Sequence, residues 1–439
     1  MTYHPPTLEL EPQVIRSHYS ALSAHRECEA KWHYRYVLRV KAPDFGPKPE
    51  MHFGSWWGAL VAAEGLERGR KLDSLRADPD SSTIGGPNDG PKFDQRTVTV
   101  QEILDAADFW WKSRDDETKQ EWIDRLGQGL PERIRELYER WMDEYAEARK
   151  DELPLGFEVF WKRKLPRPKS DLEWLGPEAD HLDDVELIGY IDEVYFDTQR
   201  GIVVVRDNKS HKVLKMHTAV DDMMDSQLQL YAWGATPLIS PWGHGAPRAV
   251  AYDRVRSVAP KHPEVTKTAG TLSKGVTDYD LRTYLEWAKG EDGLGVPWGA
   301  EGEYFKSGPR KDQPKFGRYT AEDTVIEKLS TPAAKSIWFQ RTRVPVNRNV
   351  VIGHLRAAVD TATDAWRTKR RVELTGDAPR SLGKACDWCD YAALCRARLM
   401  GGATGEYDLR EFGLEAPDGA TFLINGKLER EEMVMASGQ

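Results

Sequence analysis

Cysteine is scarce in this chain, with four residues in 439. That is too few for a disulfide framework, and it points to metal binding or catalysis in a reducing compartment. Long apolar runs are missing as well. No stretch approaches the roughly 18 residues that a membrane span requires, so no membrane association is expected. The opening MTYHPPTLELEPQ lacks the basic-then-apolar order of a secretory signal, and a cytoplasmic location is expected. An excess of positive charge is also lacking. The formal net charge is −9, which argues against a surface coated with phosphate-binding cations but leaves room for a local basic groove.

Core-forming material, by contrast, is ample. Hydrophobic residues make up 40% of the chain, with 16 Trp, against 30% charged residues. This suits two or three domains, or one core with large insertions. Residues 17–40 read as a helix with Tyr19, Leu22, Trp32, Tyr36 and Val37 at its apolar positions. Residues 68–96, rich in Asp, Ser, Gly and Pro, read as a long surface loop. Leu130 to Lys150 reads as an amphipathic helix, with Pro131 in its first turn and Ile134, Leu137, Tyr138, Trp141, Met142 and Tyr145 at helical spacing. From about Gly156 the pattern changes. FEVFWKRKL alternates as a strand, VELIGYIDEVYFD and IVVVRDNKS form a hairpin around DTQRG, and residues 202–205 fit a strand buried on both faces. A helix over 219–233 follows, with Gly234 as its C-cap, and then RAVAYDRVRS as another strand. Strands, helix and strand in succession predict an α/β core.

The stretch GYIDEVYFDTQRGIVVVRDNKSHK carries the chemistry. If Asp197 faces Ile202 across the turn, Asp192 falls opposite Asp207, with side chains roughly 5 Å apart. Lys209, two residues beyond Asp207, points to the same face. Opposed carboxylates repel unless a divalent ion relieves them. Magnesium or manganese suits such oxygen ligands, and the Asn208 carbonyl is the simplest third one. With Lys209 to orient water or stabilise developing charge, this set suits metal-assisted phosphodiester hydrolysis. The plainer alternative is a surface hairpin with solvated ion pairs, which must then explain three charges gathered beside a four-residue apolar strand.

These residues resemble the PD-(D/E)XK nuclease superfamily, in particular its RecB-like branch. Asp192 matches the first acid in a G-x-x-D context, Asp207 and Lys209 match the D-x-K, and QLQLYAWG is similar to the branch's Q-x-x-x-Y motif through Gln227 and Tyr231. Glu158 resembles an acidic position upstream of the first Asp. The resemblance implies a restriction-endonuclease-like mixed β-sheet core flanked by helices, with a helical N-terminal region. One position departs from the family. In HFGSWWGAL, Gly58 stands where a metal-binding histidine is expected, with His52 and Glu64 as the nearest substitutes.

The cysteines follow C-x2-C-x5-C through Cys386, Cys389 and Cys395, with Cys28 far upstream. Alone, this spacing leaves zinc and an iron–sulfur cluster nearly even. RecB-like nucleases with a cluster, among them AddB-type and CRISPR-associated exonucleases, carry one cysteine before the core and three after it. The resemblance therefore implies a 4Fe–4S cluster on Cys28, Cys386, Cys389 and Cys395, in a C-terminal cluster segment. The expected divisions are 1–66 helical, 67–152 an insertion, 153–270 the nuclease core, 271–383 helices and loops with DNA contacts, 384–398 the cluster segment and 399–439 a tail. Cations for a DNA path are Lys162, Arg163, Lys164, Lys212, Lys215, Arg310, Lys311, Lys315 and Arg318. The run 367–371 and the pair Trp56 and Trp57 suit solvated surface and core packing respectively. The implied activity is a metal-dependent DNA exonuclease in recombination, repair or phage DNA processing, acting on single strands or duplex ends, with room for a recombination or helicase partner. A catalytically silent DNA-binding relative and a zinc-stapled structural protein are the alternatives.

Overall fold

The computed structural model describes residues 15–41, 49–77, 83–85, 90–165, 185–215, 218–266, 271–272, 279–304, 313–401, 406–417, 419–425 and 427–430. Its centre is a mixed sheet of six strands. These are β1 (Ile15–His18), β2 (Glu152–Lys164), β3 (Val185–Asp197), β4 (Ile202–His211), β5 (Pro247–Arg256) and β6 (Phe339–Pro345). β1 with β3, and β4 with β5, run parallel; the remaining neighbours are antiparallel.

β3 organises the sheet. β2 pairs along one of its edges from Glu186 to Asp197. A strand has only one other edge, and here β1 takes residues 185–188 of it while β4 takes residues 193–197. Residues 189–192 are therefore left without a strand on that side. The last β3–β4 pair before this gap, Glu193 with Arg206, is also a buried ion pair at 3.0 Å, and Arg206 reaches Glu152 of β2 at 2.5 Å. Two carboxylates around one buried guanidinium fix the register where the strands part.

Helices cover both faces: α1 (Tyr19–Glu27), α2 (Pro49–Leu72), α3 (Leu130–Lys150), α4 (Ala219–Met224), α5 (Ser226–Ile239), α6 (Arg348–Thr375) and α7 (Ala392–Gly401). On one face Leu228, Leu230 and Ile239 of α5 and Ala358 of α6 pack with Val203, Val205 and Val250. On the other, Phe53, Trp56 and Trp57 of α2 and Trp141 of α3 pack with Phe157 and Val255. Val203, Val204 and Val205 are all fully buried, as their β-branched run predicts. Two glycines permit close approach of helix to sheet. A Cβ on Gly65 would lie 1.9 Å from the Phe157 ring, and one on Gly234 would lie 2.1 Å from the Trp161 ring.

Several expectations are corrected. Residues 17–40 are not one helix: residues 15–18 pair with β3, α1 follows, and the chain is extended at Cys28 (φ −164°) before the turns Glu29–Trp32 and His33–Val37. Sheet pairing and the extended residue override the helical propensity of that run. Residues 68–96 are only partly loop, since α2 runs to Leu72 and Thr83–Gly85 pairs with Lys92–Asp94. The helix expected over 219–233 is two, α4 and α5, divided at Asp225, whose side chain caps α5 by accepting from the Gln227 N–H. Gly234 lies inside α5 and serves packing against Trp161 instead of a C-cap. Helix α3 has the expected bounds.

Candidate active site

The site forms where β3 and β4 part. Their register, Asp197 with Ile202 through Glu193 with Arg206, makes Asp192 and Asp207 the next opposed positions. Instead of a ladder bond, the Asn208 backbone N–H donates to Asp192 Oδ2 at 2.7 Å. Lys209 Nζ donates to Asp207 Oδ1 at 3.0 Å and lies 2.8 Å from Oδ2.

The backbone changes phase here. Leu187 and Ile191 face α5 before the site, but Val194 does so after it, so the alternation of β3 switches at Asp192. Glu158 of β2 lies between the pairs Phe157–Glu193 and Val159–Ile191, hence opposite Asp192, and has φ 47°. A non-glycine residue in the left-handed region costs on the order of 1–3 kcal/mol and concentrates at functional sites.

Three acids thus meet at the break. Burial pushes Asp192 up to about 6, and the charge of Glu158 adds to this. Burial pushes Asp207 up to about 7, with Asp192 contributing next. Glu158 is raised to about 7 by burial and then by Asp207. Lys209 responds in the opposite sense. Burial disfavours its charge, but Asp207 and Asp192 outweigh that and hold its pKa above the ordinary lysine value. On α5, Gln227 Nε2 donates to the Tyr231 hydroxyl at 3.3 Å. Tyr231 is raised to about 12 by burial, and the nearby Asp207 adds to the shift. The predicted residues Asp192, Asp207, Asn208, Lys209, Gln227 and Tyr231 therefore share one neighbourhood. Sequence reasoning missed Asp225, whose charge raises Asp207 further and which hydrogen-bonds Tyr252. Its position directly before SQLQLY is the N-cap signal that could have found it.

The donor set fits a hard cation. Asp207 is buried with only the Lys209 ammonium against its two oxygens, and the side-chain Oδ1 of Asn208 is buried without a hydrogen bond. The donors are all oxygen. Among the described residues no three His, Cys, Asp or Glu side chains group tightly enough to hold a metal ion. Neither expected substitute for the missing histidine is available. His52 is buried against the Trp110 and Trp122 rings, at 5.2 and 5.9 Å, and Glu64 forms an ion pair with Arg149. A Cβ on Gly58 meets nothing within 4 Å.

The four cysteines line one small cavity of about 60 Å³, together with Lys31 and Arg380. They are free thiols, and no three of them group as metal ligands. Burial raises Cys395 to about 11, opposed by Arg380, and raises Cys389 as well. Of the expected DNA-path cations, Lys162, Lys164 and Lys215 are exposed. Arg163 lies over the Trp233 ring at 4.0 Å, Lys212 stands 4.0 Å from Glu50, and Arg318 pairs with Asp292 at 2.7 Å. Arg310, Lys311 and the Lys315 side chain lie outside the described residues. Trp56 and Trp57 are core residues.

Among the described residues no helix is long and apolar enough to cross a membrane. No curated protein sequence matches the chain significantly. The family model of the PD-(D/E)XK nuclease superfamily matches residues 18–396, most of the chain and all of the site just described. The chain belongs to the PD-(D/E)XK nuclease superfamily.

Proposed function

We propose that this protein is a metal-dependent DNA exonuclease of the RecB-like branch, acting on single strands or duplex ends in recombination, repair or phage DNA processing. The supporting observation is the opposed pair Asp192 and Asp207, both raised toward neutrality, beside a lysine held as a cation. Asp192, Asp207 and the Asn208 carbonyl would hold magnesium or manganese, which would acidify water and neutralise phosphate charge there. The two carboxylates give up their protons to bind. Lys209 stays protonated, so it donates hydrogen bonds to water or to the phosphate and does not act as a base. Gln227 and Tyr231 hold the helix face beside the reacting strand and position it.

Exonuclease action is tested with manganese on linear end-labelled DNA and on closed circular single strands of the same sequence. Degradation confined to the linear form supports the reading. Equal degradation of the circle makes the enzyme an endonuclease. Gly58 motivates a second reading, a DNA-binding relative without cleavage, for which metal would leave both substrates intact.

The cysteine cavity is read as the seat of a 4Fe–4S cluster on Cys28, Cys386, Cys389 and Cys395, in preference to zinc. Support comes from four thiols on one cavity and from the branch resemblance. A cytoplasmic location follows from the same thiol chemistry.

A further inference from the structure

Where β4 turns from valine to charged residues, β5 turns polar with it. Their parallel register sets Val205 beside Val250, Asp207 beside Tyr252 and Lys209 beside Arg254. Residues paired in this way share a face, and Tyr252 shares the core of Leu228 and Leu230 on the α5 side. Both polar side chains of β5 end on the stretch that joins α4 to α5. Arg254 Nη1 and Nη2 donate to the two oxygens of Asp222 at 3.1 and 2.5 Å. Thr342 of β6 donates to the same carboxylate, and the Arg254 guanidinium lies over the Tyr252 ring at 4.1 Å. The Tyr252 hydroxyl donates to Asp225, which caps α5 by accepting from the Gln227 N–H at 2.8 Å. Asp222 is the one fully buried residue of α4, whose Val220 and Met224 are exposed. The fixed point of that helix on the sheet is therefore a two-pronged ion pair, which sets direction as well as distance.

We propose that Tyr252 and Arg254 are positioning residues for cleavage, holding the α4–α5 junction so that Gln227 and Tyr231 face Asp207 and Lys209. The inference rests on the nuclease reading above. One strand thereby governs both halves of the site. The ladder bonds of β5 align the strand that carries Asp207 and Lys209. Its side chains align the start of the helix that carries Gln227 and Tyr231. A displacement of about 1 Å between reacting groups costs up to about a hundredfold in rate. Loss of either anchor therefore slows cleavage while every group assigned to metal or DNA stays in the chain.

The test is single-turnover cleavage of single-stranded DNA across a manganese titration, for wild type, Tyr252→Phe and Arg254→Lys, each also combined with Gln227→Ala. Tyr252→Phe removes a hydroxyl and keeps the ring, and Arg254→Lys keeps the charge and loses the fork. Each is expected to slow cleavage at saturating manganese about tenfold, with the manganese dependence unchanged. Beside Gln227→Ala the same changes are expected to cost almost nothing further, because they act through the helix that carries Gln227. Hydrogen exchange at residues 226–231 is expected to quicken about tenfold in Tyr252→Phe, the loss of about one hydrogen bond. A wild-type rate in either variant overturns the role of that residue, and losses that add in full to that of Gln227→Ala overturn the route through α5. A shifted manganese dependence overturns it as well, since the two residues would then act through Asp207. The two readings fail in distinguishable ways. A wild type that cleaves nothing removes the nuclease reading and this role together, whereas an active wild type with equally active variants removes the positioning role alone.

Discussion

Asp207 is 3% exposed, and its burial together with the neighbouring Asp192 charge outweighs its contact with Lys209. Such an arrangement destabilises the charged form, and that has a consequence for stability. The metal-free folded protein holds protons on Asp192, Asp207 and Glu158 up to pH values of about 6 to 7, where the unfolded chain has already released them. Stability without metal is therefore expected to fall as pH rises from about 4 to about 7 and then to level off. Thermal melts in chelator across that window check this. Asp207→Asn removes one of the three acids, so it is expected to raise the metal-free melting temperature at pH 8 by roughly a few degrees. It is also expected to abolish the further rise that manganese gives the wild type. Asp192, Asp207 and Lys209 were legible in the sequence because strand alternation and a short turn reduce their placement to arithmetic. The left-handed Glu158 was not, since nothing in FEVFW marks a glutamate for φ 47°; the conformation is imposed by pairing with β3 at the point where its phase switches.

Elements hold this geometry through close approach and one buried charge. Gly65→Ala drives a Cβ into the Phe157 ring and is expected to cost about 1–3 kcal/mol. Gly58→Ala, on the same helix but with open space, is expected to gain up to about 1 kcal/mol from helix propensity. Denaturant titration separates the two, and equal effects would contradict the packing described. Arg206→Ala leaves Glu152 and Glu193 buried without their shared partner and is expected to cost about 3–5 kcal/mol. At this scale the hairpin, β5 and α3 were readable from periodicity. The sharing of one β3 edge by β1 and β4 was not. IRSH is too short to signal a strand, and its pairing is decided by residues about 170 positions away. Gly234 misled for a related reason, because a glycine after an apolar run suits a C-cap as well as it suits a ring packed on the helix.

Across the whole molecule the two ends of the chain meet in one core. Ala30, Tyr34 and Val40 pack with Val372, Tyr391, Leu394 and Leu409, and the Tyr391 hydroxyl donates to the Val40 carbonyl at 2.8 Å. Cys28, Cys389 and Cys395 pack at the border of this core. The cluster proposed there would tie segments separated by most of the sequence, where a cross-link removes the most chain entropy. Protein purified without oxygen is expected to be brown with broad visible absorption, and Cys28→Ala to be bleached and more readily cut by protease near its C-terminus. Colourless protein holding one zinc per chain would falsify the cluster while leaving the clasp intact. The cysteine pattern was visible from the start, whereas its contact with Tyr34 and Val40 depended on the fold of everything between.

The most direct measurement concerns the carboxylate–lysine site itself. Release of label from end-labelled single-stranded DNA is followed with and without manganese, for wild type, Lys209→Ala and Asp207→Asn. The expected result is metal-dependent release by the wild type and a loss of at least about a hundredfold in each variant, with both variants still folded by circular dichroism. Release that continues in chelator, or that survives in both variants, would contradict a metal-dependent nuclease built on Asp192, Asp207 and Lys209.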